Sequence, residues 1–403
     1  MENVIIAGGG ASGIMAALTA AADKNNRVIL LERQQRIGRK LLATGNGRCN
    51  LTNTGACPEN YHGEQADFAM PALCAFTPQD TLDFFHALGL LTVTEQSGRV
   101  YPLSDSANSV LDVLRLALDT SGVELFCSCP VREIRKSKKG YSVICDDMTL
   151  EADRLIMACG GCAGEKLGGV TDGYELLKPL GHKRTKLLPS LVQLTCGGEF
   201  CRALKGVRCD CAVKFVCRGE AGAASAGELQ FTEKGVSGPV IFEISRAASL
   251  AGGEGELHID FFRNYELPQI RRFLSVRCRS YPQLQCSELL TGMLHIRLGR
   301  MLVKFSGLSS SAPLSNLTED DIEKLAMFCT DFVLKLSGSE GFDKAQVTAG
   351  GIKTTGFNPE TLESWFMPGL FCCGELLDVD GDCGGYNLQW AWASGHMAGR
   401  LGR

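Results

Sequence analysis

The sequence has no apolar run of the length that a membrane helix requires, about 18–20 residues, and it has no long basic tract. Its densest basic segment is RKSKK at 135–139, which precedes a glycine and an alternating segment and is typical of a hairpin turn. The formal net charge is −4, whereas nucleic-acid binders usually carry a basic patch. No basic region or cleavage site follows Met1. We therefore expect a cytoplasmic protein that binds neither a membrane nor a nucleic acid.

The sequence also lacks the cysteine spacing of a metal site, although it contains 19 cysteines. Cys159-x-x-Cys162 has no second CxxC at a matching interval to support a zinc site or an iron–sulfur cluster. The odd total leaves one cysteine over from any full pairing. We interpret most of the cysteines as small buried apolar residues in a reducing compartment, and we predict no metal ion.

What is present begins at the N-terminus, where the chain carries the pattern of a dinucleotide site. An apolar β-type run ends at Ala7, glycines follow at positions 8, 10 and 13, and an alanine-rich helical segment comes next. A second β-type run, RVILLE, ends at Glu32. In this pattern Gly8 allows a tight turn, Gly10 lets a diphosphate approach the backbone, and Gly13 lets helix and strand pack closely. Glu32 is placed to accept hydrogen bonds from ribose hydroxyls. The motif alone does not separate FAD from NAD.

The segment GRKLLATGNGRCNLTN, residues 38–53, has the composition of a loop that lies along such a cofactor. Gly45 and Gly47 permit positive φ angles, the asparagines supply amide groups, and Arg39, Lys40 and Arg48 can neutralise phosphate charge. The alternative is an ordinary surface loop rich in turn residues.

Two further segments resemble the FAD-site elements of glutathione-reductase-like flavoproteins. LFCCGE ends at Gly374-Glu375 and leads through a glycine-rich turn to a helix from about Tyr386, while RLIMACGGCAG ends a strand with Gly160-Gly161. The resemblance implies that Glu375 contacts the ribityl and phosphate region. It also implies that the backbone N–H groups of Asn387 and Leu388 point to the flavin pyrimidine edge.

Together, GGGASG, residues 38–53 and the segment 350–395 resemble one bacterial family of NAD(P)/FAD-dependent oxidoreductases, which includes aminoacetone oxidase-like proteins and bile-acid 7-dehydroxylation flavoproteins. The resemblance runs along the whole chain and is strongest at its two ends. It implies non-covalent FAD. The predicted cofactor-binding residues are Gly8, Gly10, Ala11, Ser12, Gly13, Glu32, Arg33, Arg39, Lys40, Leu41, Thr44, Gly45, Asn46, Gly47, Arg48, Asn50, Val131, Cys159, Gly160, Gly161, Gly374, Glu375, Asp378, Gly384, Gly385, Tyr386, Asn387 and Leu388.

The predicted fold class is α/β, with a Rossmann-type FAD-binding domain of the glutathione-reductase-like superfamily interrupted by a β-barrel-like insert and a helical sub-insert. We expect a discontinuous FAD domain over 1–188 and 345–403, a barrel-like insert on the substrate side over 189–267, and the helical sub-insert over 268–344. Helices are predicted at 78–88, 105–121, 268–279, 286–304 and 319–337.

The predicted function is an FAD-dependent oxidoreductase that reduces a conjugated C=C bond in a hydrophobic or steroid-like small molecule. The alternatives are an amine or amino-ketone oxidase that uses O2, and an RNA-modifying or RNA-binding flavoprotein. Only one complete nucleotide fingerprint is present, so NAD(P)H is expected to act, if it is the donor, by transient docking. Tyr101 and Cys49 are candidate proton donors, and the alternative for Cys49 is a buried thiol that steadies the loop. The sequence predicts neither the substrate's identity nor the oligomeric state.

Overall fold

The computed structural model describes residues 1–403 and contains two compact units. Met1–Leu188 and Gln346–Arg403 form the first, which we call the sheet unit, and Pro189–Ala345 form the second, which we call the barrel unit. Each unit has its own cluster of buried apolar side chains. Short strands at Leu188–Ser190 and Val347–Ala349 lie where the chain passes from one unit to the other.

The sheet unit is built on a five-stranded parallel sheet. From one edge to the other its strands are Leu370–Cys372, Arg154–Met157, Glu2–Ala7, Asn26–Leu31 and Glu124–Phe126. The central strand is apolar on both faces, and Val4 to Ala7 are all buried. Such continuous apolar runs are typical of parallel sheets, because helices or other layers cover both faces.

Smaller antiparallel sheets surround this layer. They comprise Thr149–Ala152 with Tyr141–Cys145 and Val131–Lys136, then Thr52–Asn53 with Arg99–Pro102 and Thr92–Thr94, and finally Asp380–Gly381 with Tyr61–His62. The helices of the sheet unit are Ala11–Ala21, Arg39–Ala43, Met70–Ala75, Pro78–Ala87, Ala107–Ser121, Asp172–Leu177 and Tyr386–Gly399.

Two helices of the sheet unit confirm predictions made from the sequence. The helix predicted over 78–88 is Pro78–Ala87, and the Thr77 hydroxyl accepts a hydrogen bond from the backbone N–H of Asp80. The helix predicted over 105–121 is Ala107–Ser121, with Ser106 as its N-terminal cap and Gly122 in a left-handed conformation after its end. The capping residues of both helices are local, which is why the sequence predicts these helices well.

The barrel unit contains a closed six-stranded barrel. Around the barrel the strands are Leu194–Cys196, Gly235–Ser237, Glu220–Phe231, Arg208–Cys217, Glu256–Asp260 and Phe332–Ser339. Along Glu256–Asp260 buried and half-exposed residues alternate, as expected for strands with one face toward a barrel interior. The helices of this unit are Glu199–Ala203, Pro239–Leu250, Leu267–Ser280, Ile296–Phe305 and Glu319–Thr330.

Two predictions in the region 268–344 are wrong. The helix predicted over 319–337 ends at Thr330, and Phe332–Ser339 is a strand that closes the barrel between Glu256–Asp260 and Leu194–Cys196. The helix predicted over 286–304 is a single 3-10 turn at Cys286–Glu288 followed, after Gly292 with φ +82°, by the helix Ile296–Phe305. In the first case distant strand pairing overrode a helical apolar pattern, and in the second a glycine with positive φ interrupted the predicted helix.

None of the helices combines the length and apolar character needed to cross a bilayer. All 19 cysteines are free, and most are buried or half-buried, which agrees with their interpretation as small apolar residues.

Candidate functional site

In the loop after the first strand, packing requires some of the glycines to lack a side chain, but it does not require this of one other. A Cβ on Gly8, whose φ is +120°, would lie 2.3 Å from the Ala158 carbonyl oxygen. A Cβ on Gly13 would lie 1.8 Å from the Gly8 carbonyl oxygen. A Cβ on Gly10 would meet nothing within 4 Å. Packing within the chain therefore explains Gly8 and Gly13, while Gly10 faces open space at the start of the helix Ala11–Ala21.

That helix begins without a capping side chain. Gly10 is its N-cap residue and no side chain bonds to the first turn, which also contains no acidic residue. The first-turn residues Ala11 and Ser12 thus leave backbone N–H groups without helical partners at the positive end of the helix dipole. Such a terminus is suited to an anionic group, and a diphosphate is the usual ligand of this motif.

Glu32 lies at the end of the second strand and holds the glycine loop against it. Its Oε2 accepts a hydrogen bond from the Gly9 N–H at 2.9 Å, and its Oε1 accepts one from the Gln34 N–H at 2.7 Å. A carboxylate has further lone pairs on each oxygen, so it can accept additional donors such as hydroxyls. Its neighbour Arg33 turns away to an exposed ion pair with Asp172 at 3.4 Å.

Lys40 and Glu375, which are far apart in sequence, form an ion pair at 2.5 Å between Nζ and Oε2. The second oxygen, Oε1, accepts a hydrogen bond from the Thr348 N–H at 2.7 Å. The Thr348 hydroxyl in turn accepts one from the Ala163 N–H at 3.0 Å. A Cβ on Gly161 would come within 2.7 Å of Glu375 Oε1. This network joins the 38–53 loop, the strand end at Cys159–Gly161 and the C-terminal segment, as the sequence predicts.

The 38–53 loop is a short helix followed by a left-handed turn. Arg39–Ala43 is helical, the Thr44 hydroxyl donates to the Leu41 carbonyl at 2.7 Å, and Gly45 and Asn46 have φ of 58° and 57°. Leu41 is buried in the core of the sheet unit. The loop is therefore ordered by its own hydrogen bonds and is anchored by Leu41 together with the buried side chains of Cys49 and Leu51.

The two arginines of the loop have partners within the chain. Arg39 donates to the Gln34 amide oxygen at 2.6 Å and to the Lys166 carbonyl at 3.1 Å. The Arg48 guanidinium pairs with Asp105 and Glu95 and lies over the Tyr101 ring, 3.9 Å from its centroid. Gly47, between them, adopts φ +88° and faces open space.

The two predicted proton donors occupy different environments. Cys49 is fully buried, and burial raises the pKa of its thiol to about 12. This environment favours the alternative in which the thiol steadies the loop from inside. Tyr101 is 8% exposed beneath the Arg48 guanidinium, and burial raises the pKa of its hydroxyl above the ordinary value. Both groups are therefore protonated near neutral pH.

The C-terminal helix Tyr386–Gly399 also begins without a capping side chain. Its N-cap is Gly385, with φ +104°, and a Cβ there would lie 2.5 Å from the Thr52 carbonyl. The Asn387 side chain folds back, accepting from the Gly381 N–H at 2.8 Å and donating to the Gly381 carbonyl at 2.7 Å. Asn387 therefore fixes the turn that precedes the helix.

The predicted neighbours of this terminus lie around it. The Tyr386 ring contacts Tyr61 edge to face at 6.3 Å between centroids, and Leu388 packs on the core of the sheet unit. The Gly384 carbonyl accepts a hydrogen bond from the Asn53 amide at 3.0 Å. Asp378 is buried and accepts from the Glu64 N–H at 3.0 Å. These contacts join residues 53–64 to the C-terminal segment within the sheet unit.

Buried polar residues that the sequence analysis missed join the loop to the C-terminal helix. Gln389 is fully buried; its Oε1 accepts hydrogen bonds from the Thr52 hydroxyl at 2.6 Å and the Thr81 hydroxyl at 2.8 Å. Its amide donates to the Phe76 carbonyl at 2.8 Å. The Trp392 indole donates to the Leu51 carbonyl at 3.0 Å. A polar residue inside an otherwise apolar helix pattern was the available signal for Gln389.

One buried acceptor of the loop has no partner within the chain. Asn50 is 9% exposed and its Oδ1 has no hydrogen-bond donor. A Cβ on Gly385 would lie 3.0 Å from that atom, so the orphan oxygen is next to the start of the C-terminal helix. Buried unpaired acceptors are costly, and a ligand that donates a hydrogen bond here would remove the cost.

Of the remaining predicted residues, Cys159, Gly160 and Gly374 follow the carboxyl ends of parallel strands, whereas Val131 lies at the amino end of a strand. The Cys159 thiol contacts the Ala7 carbonyl at 3.4 Å, and Gly160 has φ +72° with open space beside it. Gly374 contacts Ser12, since a Cβ there would be 2.4 Å from the Ser12 hydroxyl. Val131 begins a strand of the neighbouring antiparallel sheet. Carboxyl ends of parallel strands are the usual place for a bound cofactor.

A parallel sheet with a glycine loop and an uncapped helix at the end of its first strand defines a Rossmann-type dinucleotide-binding fold. The chain belongs to the HI0933-like family: the family model described as "HI0933-like protein Rossmann domain" matches residues 2–401. Two predictions are confirmed: the resemblance to a bacterial oxidoreductase family, and a Rossmann-type fold with a barrel insert.

Relatives and solved structures agree with this placement. The chain is 41% identical over 399 residues to the 3-dehydro-bile acid delta(4,6)-reductase of Clostridium scindens, covering 98% of this chain and 97% of that protein. It is 30% identical over 368 residues to the ribosomal RNA dihydrouridine synthase of Escherichia coli, covering 91% and 90%. The crystal structure of the 3-ketosteroid delta1-dehydrogenase from Sterolibacterium denitrificans superposes with a TM-score of 0.50 at 13% identity, covering 99% of each chain. This last likeness concerns the fold alone.

Proposed function

We propose that this protein is an FAD-dependent reductase of a conjugated C=C bond in a steroid-like 3-oxo substrate. The observation that carries the proposal is the 41% identity with the bile acid delta(4,6)-reductase over nearly the full length of both chains. The E. coli relative is named for a product in which a ring C=C bond of uridine is saturated, so reduction of a C=C bond is common to both names.

The residues of the sheet unit fit FAD. Gly10 has no role in packing, and it leaves room at an uncapped helix terminus where a diphosphate would lie. Glu32 has lone pairs free for the ribose hydroxyls. The unpaired Oδ1 of Asn50 is an acceptor that a donor group of the cofactor would satisfy. We expect the FAD to be non-covalent.

When bound, FAD supplies hydride transfer, and the chain supplies binding, orientation and electrostatics. The uncapped start of the helix Tyr386–Gly399 places a positive dipole end where negative charge is favourable. The ion pair of Lys40 with Glu375, with its hydrogen bond to Thr348, links the three segments of the proposed FAD site. We assign FAD to the sheet unit, and we assign substrate selection to the barrel unit as part of the same proposal. A cytoplasmic location also belongs to the proposal, as does transient docking of NAD(P)H if it, and not another donor, reduces the flavin.

The test is an anaerobic two-step assay on purified holoenzyme. Flavin absorbance should show bound FAD that heat or acid releases. The flavin is then reduced with NADH, NADPH or dithionite, and a 3-oxo-4,6-diene bile acid is added. Rapid reoxidation of the flavin with saturation of one C=C bond is expected, and the same acid without ring double bonds should cause none.

Two further arms test the alternatives. Reduction of oxidised flavin by amines or amino ketones, with O2 as acceptor, would instead indicate an oxidase. Reoxidation of reduced flavin by ribosomal RNA but not by the diene would indicate an RNA-modifying enzyme. A protein that neither contains nor takes up FAD would overturn the proposal entirely.

A further inference from the structure

A histidine–carboxylate pair that the proposed function does not yet use lies beside the start of the C-terminal helix. The Nε2 atom of His62 is 2.7 Å from Oδ1 of Asp382. Because an ionised carboxylate only accepts hydrogen bonds, Nε2 carries the proton in this contact. Both side chains are partly exposed, 32% for His62 and 28% for Asp382. The Nδ1 atom of the imidazole is thus left for another partner.

Asp382 is held in place by contacts from several directions. Its Oδ2 accepts a hydrogen bond from the Asn60 amide at 3.0 Å, and its backbone N–H donates to the Asn60 carbonyl at 3.0 Å. Its carbonyl accepts a hydrogen bond from the Asn387 amide at 3.2 Å. A carboxylate fixed in this way orients the imidazole that it contacts, as in other histidine–carboxylate pairs.

The pair is joined to the proposed flavin-facing terminus by secondary structure. Tyr61–His62 pairs with Asp380–Gly381 as an antiparallel ladder, and Tyr61 contacts the ring of Tyr386, the first residue of the helix. Through Asn387, Asp382 shares a partner with the turn that positions the helix start. His62 is therefore held near that terminus by the pairing of Tyr61–His62 with Asp380–Gly381 and by its contact with Asp382.

We infer that His62 is the proton donor for the reduction, with Asp382 as its positioning residue; this inference rests on the proposed function. In the step, the π bond of the substrate C=C breaks. One carbon would gain a C–H bond with a hydride, which is the chemistry that bound FAD would supply, and the other would gain a C–H bond with the proton that leaves Nδ1 of the protonated His62 ring. The imidazole regains a proton from water. Asp382 holds the Nε2–H through its hydrogen bond at 2.7 Å and so leaves Nδ1 as the donating atom.

The test follows reoxidation of dithionite-reduced holoenzyme by the diene in a stopped-flow instrument, so the natural electron donor does not matter. His62→Ala should retain FAD and slow reoxidation about 10²–10⁴-fold, the usual contribution of a positioned acid. Added imidazole should restore part of the rate. Asp382→Asn should be slower than wild type and faster than His62→Ala. His86→Gln is the matched control, because His86 is an exposed histidine of the sheet unit bonded only to Thr92.

Three outcomes overturn the inference. An unchanged rate in His62→Ala would show that another group delivers the proton. A slow rate accompanied by loss of FAD, with no response to imidazole, would show a structural role. If the diene fails to reoxidise reduced wild-type enzyme, both the proposed function and the role of His62 are refuted. If the wild-type enzyme reacts and His62→Ala reacts at the same rate, only the role of His62 is refuted.

Discussion

A comparison of Gly10→Ala with Gly13→Ala separates two reasons for glycine in the loop after the first strand, which are packing within the chain and room for a ligand. At Gly13 a Cβ would collide with the Gly8 carbonyl at 1.8 Å, which involves backbone on both sides. At Gly10 a Cβ meets no atom of the chain within 4 Å. Gly13→Ala therefore tests packing, and Gly10→Ala tests the close approach of a ligand.

The expected magnitudes differ accordingly. Gly13→Ala should cost about 1–3 kcal/mol of folding free energy, the range for overpacking, or should prevent folding if the backbone cannot shift. Gly10→Ala should change the free energy of unfolding of apoprotein by at most about 1 kcal/mol, since only an uncapped N-cap position is altered. If one or two hydrogen bonds to a charged diphosphate are lost, each worth about 1.5–3 kcal/mol, FAD affinity should fall at least about tenfold.

The assay uses apoprotein prepared by acid or salt release of the flavin. Thermal unfolding of the apoprotein reports packing, and titration with FAD, followed by quenching of flavin fluorescence, reports affinity. Unchanged FAD affinity in Gly10→Ala would refute the reasoning, because the glycine would then have neither a packing role nor a ligand role. Gly10→Ala is decisive even if Gly13→Ala does not fold.

Three other perturbations follow from the same geometry. In a double-mutant cycle of Lys40→Met and Glu375→Gln, urea unfolding should give a coupling free energy of about 0.5–1 kcal/mol, because both side chains of the ion pair are partly exposed. Each single change should also weaken FAD binding. A coupling free energy of zero would contradict the role of the ion pair. Gln389→Leu should lower the free energy of unfolding in urea by about 2–4 kcal/mol, because the Thr52 and Thr81 hydroxyls and the Phe76 carbonyl lose a fully buried hydrogen-bond partner. A decrease below about 1 kcal/mol would contradict this. At pH 8, iodoacetamide should modify exposed Cys57 and Cys74 but not Cys49, as judged by mass spectrometry. Because the pKa of Cys49 is raised to about 12 in the folded state from about 8.5 when unfolded, its contribution to stability is complete below about pH 8.5 and is lost as pH rises toward 12.

Local signals predicted much of the fold. The strand, glycine loop, helix, strand and acid at the N-terminus were readable because each requirement falls on residues close in sequence. The helices at Pro78–Ala87 and Ala107–Ser121 were readable because their caps are local. The strand Phe332–Ser339 was not, because its partners are Glu256–Asp260 and Leu194–Cys196, far away along the chain.

The candidate site shows the same division. The sequence predicted that the segments containing Lys40 and Glu375 converge, but it did not indicate that the two side chains form an ion pair or that Thr348 completes the contact. It suggested Cys49 as a proton donor, whereas packing places that thiol inside the core. It gave no reason to choose His62, because the partner that distinguishes this histidine is Asp382, more than three hundred residues later in the chain.

The amino-acid sequence by itself determined the class of this protein, because the glycine spacing, the acid after the second strand and the two flanking motifs record backbone conformations that only certain residues adopt. Only the tertiary structure decided which polar groups meet, which remain buried without a partner and which reach open space. The physical reason is that hydrogen bonds, ion pairs and desolvation depend on distances of a few ångströms between segments. The separation of two segments along the chain does not determine the distance between them in the fold.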